Sequence, residues 1–383
     1  MTLEELQSDE ALRNREYPVT REKIYLAHAA VCPFPRRVQE AISNYAQAAS
    51  FTQQEAVTAP GWLQETRQLA AKFLGVRMDE VAFVGPTSNA LSFIAGGLNF
   101  KRNQTVLVYG DDYPSNVYPW MTLAERGVEV RYLNIREAGV VRARDVIGQV
   151  DENTRLVAIS SCHFLSGYRA DLDPIGKFLR ERGILFSVDA IQTLGAFETK
   201  LEHVDFAAAD AHKWMLGPCA AGLMYVRKEV QDLLRPTTHG WHNVRTPNFV
   251  TQEQIEYKPD SRRYEAGSHN LLGIVAMRAG LELLMEIGVD AISRDLLRKR
   301  AWFVPALEER GYTVLQAKAG PANASGIITF YKAETDMSDL HARLERNNVY
   351  TSLRVDRAGQ RYIRVSPHFY NTDAELKRVL ELL

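Results

Sequence analysis

Two charged residues in the segment Ile184–Val226 are out of keeping with what surrounds them. Asp189 closes the apolar run ILFSV, and Lys213 lies 24 positions further on, in AHKWML. A short apolar run after Gly183 suits a strand buried on both faces of a parallel sheet. A carboxylate at the carboxyl end of such a strand faces the crevice where α/β folds take their ligands. A lysine flanked by apolar strands needs a partner or a covalent task. Two chemistries meet that need: a structural ion pair with Asp189, or condensation of the amine with an aldehyde. Gln192 and His212 add polar groups beside both residues.

One cofactor uses an aspartate and a lysine together. Pyridoxal 5'-phosphate (PLP) binds a lysine amine as a Schiff base, and a carboxylate keeps its ring nitrogen protonated so that the ring draws electrons from the substrate Cα. Gln192 is placed to reach the ring hydroxyl, and His212 the phosphate. The order D-A-x-Q…H-K, Asp189 to Gln192 and His212-Lys213, resembles the class V aminotransferase family. That family includes cysteine desulfurases, selenocysteine lyases, kynureninase and isopenicillin N epimerase.

Other segments fall into the same order. Val81–Val84 reads as a strand, and Gly85-Pro86-Thr87-Ser88-Asn89 leads from it into a helix over Ala90–Leu98. A strand, a hydroxyl-bearing turn and a helix start make an anion site, although plain N-capping needs the same residues. The resemblance implies that Thr87 and Ser88 hold the cofactor phosphate there. It places Tyr113, in DDYPSN, against the cofactor ring. It makes His28, in HAAVCPFP, a polar contact to substrate, and Ser268, in RYEAGSHN, a hydroxyl that reaches the phosphate of a neighbouring subunit. Arg364, in RYIRVSPHFYNT, is implied as the grip on the substrate α-carboxylate through a bidentate pair. The chain departs from desulfurases at Phe164, which stands where they carry an asparagine against the ring oxygen. His163 is adjacent, but successive side chains at a strand end turn to opposite faces.

The elements that position these residues alternate between strand and helix, which implies right-handed βαβ crossovers and a mostly parallel sheet. The resemblance sharpens this to a PLP-dependent fold type I: a large domain with a seven-stranded, mostly parallel sheet, and a smaller α+β C-terminal domain. The expected organisation is an arm over 1–20, packing elsewhere on a dimer, a PLP-binding domain over 21–288 and the small domain over 289–383.

With 383 residues, 46% hydrophobic and 24% charged, the composition is that of a globular protein of more than one core. A net charge of −1 without a long basic run speaks against nucleic-acid or membrane surfaces. Cys32, Cys162 and Cys219, odd in number and unpaired in pattern, fit reduced thiols in a cytoplasm. No glycine fingerprint of a dinucleotide or P-loop site is present. His239-Gly240-Trp241-His242 lacks the further ligands and helical spacing of a metal motif.

The expected protein is a homodimeric PLP enzyme acting on a small α-amino acid through Lys213, as a C–S or C–Se lyase or a transaminase. A persulfide-forming desulfurase is disfavoured because Gly320–Asn371 contains no cysteine. Epimerisation, or a fold retained only for binding, completes the alternatives. The substrate side chain is not legible in the sequence.

Overall fold

The computed structural model describes all 383 residues. Its strands are β1 (Ile24–Tyr25), β2 (Val81–Val84), β3 (Thr105–Val108), β4 (Glu129–Tyr132), β5 (Thr154–Ser160), β6 (Leu185–Asp189), β7 (Phe206–Asp210), β8 (Gly222–Val226), β9 (Thr313–Val314), β10 (Ile328–Tyr331), β11 (Val349–Tyr350), β12 (Ser352–Val355) and β13 (Arg361–Val365). Seven of them form one sheet in the order β2-β8-β7-β6-β5-β3-β4. All its pairings are parallel except those of β8, which runs against both β7 and β2.

The two-residue period of the central strands sorts side chains into two cores. Val157, Ile159, Phe186, Val188, Ala207 and Ala209 face one layer, which includes helix Leu172–Glu181 and helix Leu271–Ile287. Leu156, Ala158, Leu185, Phe206 and Ala208 face the other, against helix Thr87–Gly97. Both faces are therefore dry, and the carboxyl ends of β5, β6 and β7 are where this layer can meet a ligand.

A four-stranded antiparallel sheet, β12-β13-β10-β9, carries the third core together with helices Val289–Glu308, Met337–Arg346 and Asp373–Leu382. The domain border differs from the expectation at its N-terminal end. Strand β1 pairs in parallel with β11, and Leu26 is buried in the third core, so the chain visits the small layer before it enters the large one. Ahead of β1 lies the N-terminal arm. It forms two helices, Leu3–Ser8 and Glu10–Glu16, joined at Asp9, which ends one and caps the other. The arm docks on its own chain: Leu6 is buried in the main core, and Arg13 pairs with Glu375 at 2.8 Å.

Candidate active site

A cavity of about 280 Å³ opens where the ends of β6 and β7 meet the small sheet. Asp189 is the last residue of β6, and its Oδ1 accepts from the Ile191 N–H at 3.0 Å. Lys213 lies in the loop that leaves β7 and is buried. That loop is closed by Asp210, whose carboxylate accepts from the N–H groups of Ala211, Ala220 and Ala221 at 2.9, 3.0 and 3.0 Å. Leu216 and Ala220 adopt φ values of 57° and 61°, so the tight path of the loop carries backbone strain that these bonds hold in place.

The electrostatics of the two residues are set by burial. Desolvation pushes the Asp189 carboxyl up, helped by the charge of Asp112, while Lys213 pulls it back. Desolvation pushes the Lys213 amine down; Asp189 opposes this, and the nearby Arg364 and Arg354 add to it. Asp112 is buried and saturated, accepting from Ser160 N and Oγ and from Asn116 Nδ2.

At one end of the cavity helix Thr87–Gly97 begins, with Thr87 and Ser88 in its first turn. Thr87 Oγ1 accepts from Asp210 N at 2.9 Å, which leaves its own proton for a ligand. Ser88 Oγ and Ser115 Oγ lie 2.7 Å apart. His212 gives Nδ1 to Asp210 Oδ2 at 2.8 Å and lines the same end. Tyr113 lies across the middle, its ring centroid 5.3 Å from Lys213 Nζ. Gln192 is on the wall, but most of its amide is engaged: Nε2 donates to Ala29 O at 3.0 Å and Oε1 accepts from Trp214 Nε1 at 2.8 Å. One amide N–H remains for a ligand.

At the other end stands Arg364, on β13 and 1% exposed. Its Nη1 donates to Phe164 O at 2.6 Å, and its Nε and Nη2 have no partner. Burial pushes this guanidinium down to about 9. A buried guanidinium with two open donors facing a cavity is a site made for a carboxylate.

One expectation is not met. His28 does not line the cavity: it is fully buried, with Nδ1 on Ser366 O at 3.0 Å and Nε2 on Tyr370 Oη at 2.8 Å, so both ring nitrogens are spent inside the protein. The wall at that point is made by Ala29, Ala30 and Val31 instead. His163, whose part the sequence leaves open, does not stand in for the asparagine of the desulfurases. Its Nε2 bonds Asp111 O at 3.0 Å and its Nδ1 accepts from Ser166 N at 3.1 Å, away from the cavity, whose wall is Phe164. Ser268 is exposed and outside the cavity of its own chain. Ser115, Asp210 and Arg354 line the cavity without having been singled out by sequence. Ser115 lies in the DDYPSN segment beside Tyr113, and the register of β12 against β13 is the signal that finds Arg354.

Residues 24–379 match the family model described as aminotransferase class-V. The chain belongs to the class V aminotransferase family. A probable cysteine desulfurase of Methanothermobacter thermautotrophicus is 30% identical over 96% of both chains. In fold, the apo cysteine desulfurase of Thermococcus onnurineus superposes with a TM-score of 0.87 at 24% identity, covering 96% of each chain. A lysine-to-alanine variant of C-DES, with glycine covalently linked to its PLP cofactor, gives 0.85 at 18% identity, covering 96% of this chain and 98% of that one. The class V protein described here is thus a PLP-dependent enzyme of fold type I. Its residues fit the cofactor. A helix start with free hydroxyls is at one end, a buried amine and carboxylate are at the centre, and unpartnered guanidinium donors are at the other end.

Proposed function

We propose that this class V enzyme is a lyase that breaks the Cβ–S or Cβ–Se bond of a small α-amino acid by β-elimination. The observation that carries the reading is the open Arg364 guanidinium facing the Lys213 amine across one cavity, a pairing that suits an amino acid with its carboxylate anchored and its Cα beside a base. PLP supplies an aldehyde that condenses with amines and a ring that accepts electrons from Cα. Thr87, Ser88 and His212 would hold its phosphate, Asp189 its ring nitrogen, Gln192 its ring hydroxyl, and Tyr113 would cover its face. Arg364 would anchor the α-carboxylate, and the Lys213 amine would take the Cα proton. The electron pair left at Cα then expels the sulfur or selenium group from Cβ.

No thiol is placed to receive that group. Cys32 and Cys162 are buried and burial pushes both thiols up, while Cys219 is exposed beside the lysine loop, and none of the three lines the cavity. The reading extends to a homodimer, supported by the exposure of Ser268, whose family role is toward a neighbouring subunit. It further places the enzyme in the cytoplasm without nucleic-acid or membrane partners, which the net charge of −1 and the three free thiols support. No helix is long and apolar enough to cross a membrane.

The test is product analysis of the PLP-loaded protein with cystine, cysteine, selenocysteine and alanine. Pyruvate and ammonium in equal amounts, with release of sulfide, persulfide or selenide, are expected. Replacing Cys32, Cys162 and Cys219 together by serine should leave that yield within a few-fold. Alanine together with a protein-bound persulfide that disappears in the triple variant would establish a desulfurase instead.

A further inference from the structure

His242 lacks, in the sequence around it, the further ligands of a metal motif. The fold brings two of them to it from another segment. Glu265 ends the short helix Ser261–Tyr264, and His269 precedes helix Leu271–Ile287. One ligand atom from each of His242, Glu265 and His269 lies within 4.8 Å of those of the other two. That segment is docked on His242: its backbone N–H donates to Ala266 O at 3.4 Å, and its Nδ1 donates to Glu265 O at 3.1 Å. A ring proton on Nδ1 leaves the Nε2 lone pair free in the neutral imidazole. The His269 ring meets the His242 ring edge-on, with centroids 4.4 Å apart.

Glu265 is buried, and its carboxylate is fixed by both Nη atoms of Arg67, by the Phe83 N–H of β2 at 2.8 Å and by His269 Nε2 at 2.9 Å. An N–O separation of that size is what two neighbouring ligands show on a metal with bonds of about 2.0–2.1 Å. A cation set between them takes the place of the His269 Nε2 proton, which passes to Nδ1 as the ring changes tautomer. His242 closes the third side. Its ring is half-buried on the loop of the exposed Trp241, so it is free to make the small rotation that bonding distance requires. Two imidazoles and a carboxylate suit zinc and its first-row neighbours, with positions left over for water. Arg67 already balances the Glu265 charge, which makes this a weaker site than a closed set of four ligands.

We propose that His242, Glu265 and His269 bind a divalent first-row cation, zinc or a neighbour, which staples the Trp241 loop to the segment leading into helix Leu271–Ile287. The site shares no residue with the lining of the Lys213 cavity and does not depend on the chemistry proposed there.

The experiment is equilibrium dialysis of the full, tag-free, PLP-loaded chain against Zn²⁺, with free PLP removed and bound metal counted by atomic absorption. One Zn²⁺ per chain is expected. Losing a group that only orients a metal ligand costs about 10–100-fold in affinity, so His242→Gln and His269→Gln should each weaken binding at least tenfold. A second cluster, Asp173, Glu202 and His203 near the surface, is the control, and His203→Gln should leave the affinity within twofold. Thermal midpoints in chelator show whether each variant folds. Added Zn²⁺ should raise the midpoint of the unaltered protein and leave those of the His242 and His269 variants in place. If one of these variants does not fold, the other decides together with the unaltered protein. Absence of Zn²⁺ binding by the unaltered protein, a measurement that needs no variant, overturns the proposal. So does binding that is lost with His203→Gln, or binding that neither or only one of two folded glutamine variants at 242 and 269 weakens.

Discussion

At Lys213 burial and the neighbouring guanidinium groups act in the same direction, and Asp189, with a smaller part from Asp210, opposes them. A lysine in water ionises near ~10.4 and is almost wholly protonated at neutral pH. With its affinity for the proton lowered, Lys213 carries a larger fraction of free amine at any given pH, and the free amine is the form that condenses with an aldehyde. The rate of PLP uptake by the cofactor-free protein should therefore reach half its maximum well below pH 10. Absorbance after mixing at a series of pH values measures this, and Lys213→Ala should abolish the borohydride-trapped adduct. A half-maximum near pH 10 would mean that the lysine is solvated when PLP binds. Asp189 is pushed the other way, toward its neutral form, until a cation stands before it. Asp189→Asn should keep the cofactor but lower kcat by on the order of 10²–10³, the size seen when one preorganised electrostatic group is lost. A loss confined to affinity would make Asp189 a positioning residue only. At this scale much of the site was legible in the sequence. Asp189, Lys213, Thr87 and Ser88 stand at strand ends or at the turn that follows one, and strand ends converge in a parallel sheet. His28 was not legible, because the direction of a loop side chain is decided by what covers it, here Tyr370 from the far end of the chain.

Among the elements, the loop bearing Lys213 depends on a glycine in a separate segment. Gly195 has φ +99°, and a Cβ there would stand 2.3 Å from Trp214 O and 2.9 Å from Met215 N. Gly75 ends helix Trp62–Leu74 at φ +68° with nothing within 4 Å of a Cβ. Both substitutions by alanine meet the left-handed cost of about 1 kcal/mol. Only Gly195→Ala must also displace backbone next to Lys213, so it should lower the thermal midpoint further and weaken PLP binding several-fold, while Gly75→Ala leaves PLP affinity near its original value. Equal PLP affinities in the two variants would show that the loop yields without moving the amine. Element boundaries were readable where periodicity was unbroken, as in Val81–Val84 and Leu271–Ile287. The stretch from Val349 to Leu353 reads as a single strand. It is instead divided between β11 and β12, because Val349–Tyr350 pairs with β1 while Ser352–Val355 pairs with β13. That division depends on residues more than 300 positions away, and it is also what turns Arg354 toward the cavity.

In the whole molecule, the small layer is fastened to the large one directly beneath the lysine loop by two buried histidines. His368 Nε2 donates to Trp214 O at 3.0 Å, and its Nδ1 accepts from Phe369 N at 2.9 Å, which leaves no room for a second proton. His28 bridges Ser366 and Tyr370, and its ring meets that of His368 edge-on at 5.3 Å. Burial holds His28 down to about 4, and His368 is held well below the ordinary imidazole value. Since the folded-state values lie below the unfolded one of ~6.5, the stability these groups contribute is present above pH 6.5. It is lost as pH falls toward 4, at up to about 1.4 kcal/mol per pH unit for each histidine. His28→Gln should be less stable than the unaltered protein at pH 7, by about 1–3 kcal/mol for the disturbed buried bonds. The gap between the two thermal midpoints should then narrow between pH 6.5 and 4.5, because the variant has one fewer imidazole to protonate. Since Trp214 adjoins Lys213, cofactor should be released over the same pH range, visible as loss of the bound-PLP absorbance before the far-ultraviolet signal collapses. A gap that stays constant with pH would place the acid sensitivity in a carboxylate such as Glu265, which Arg67 holds in its ionised form, and not at the histidine junction.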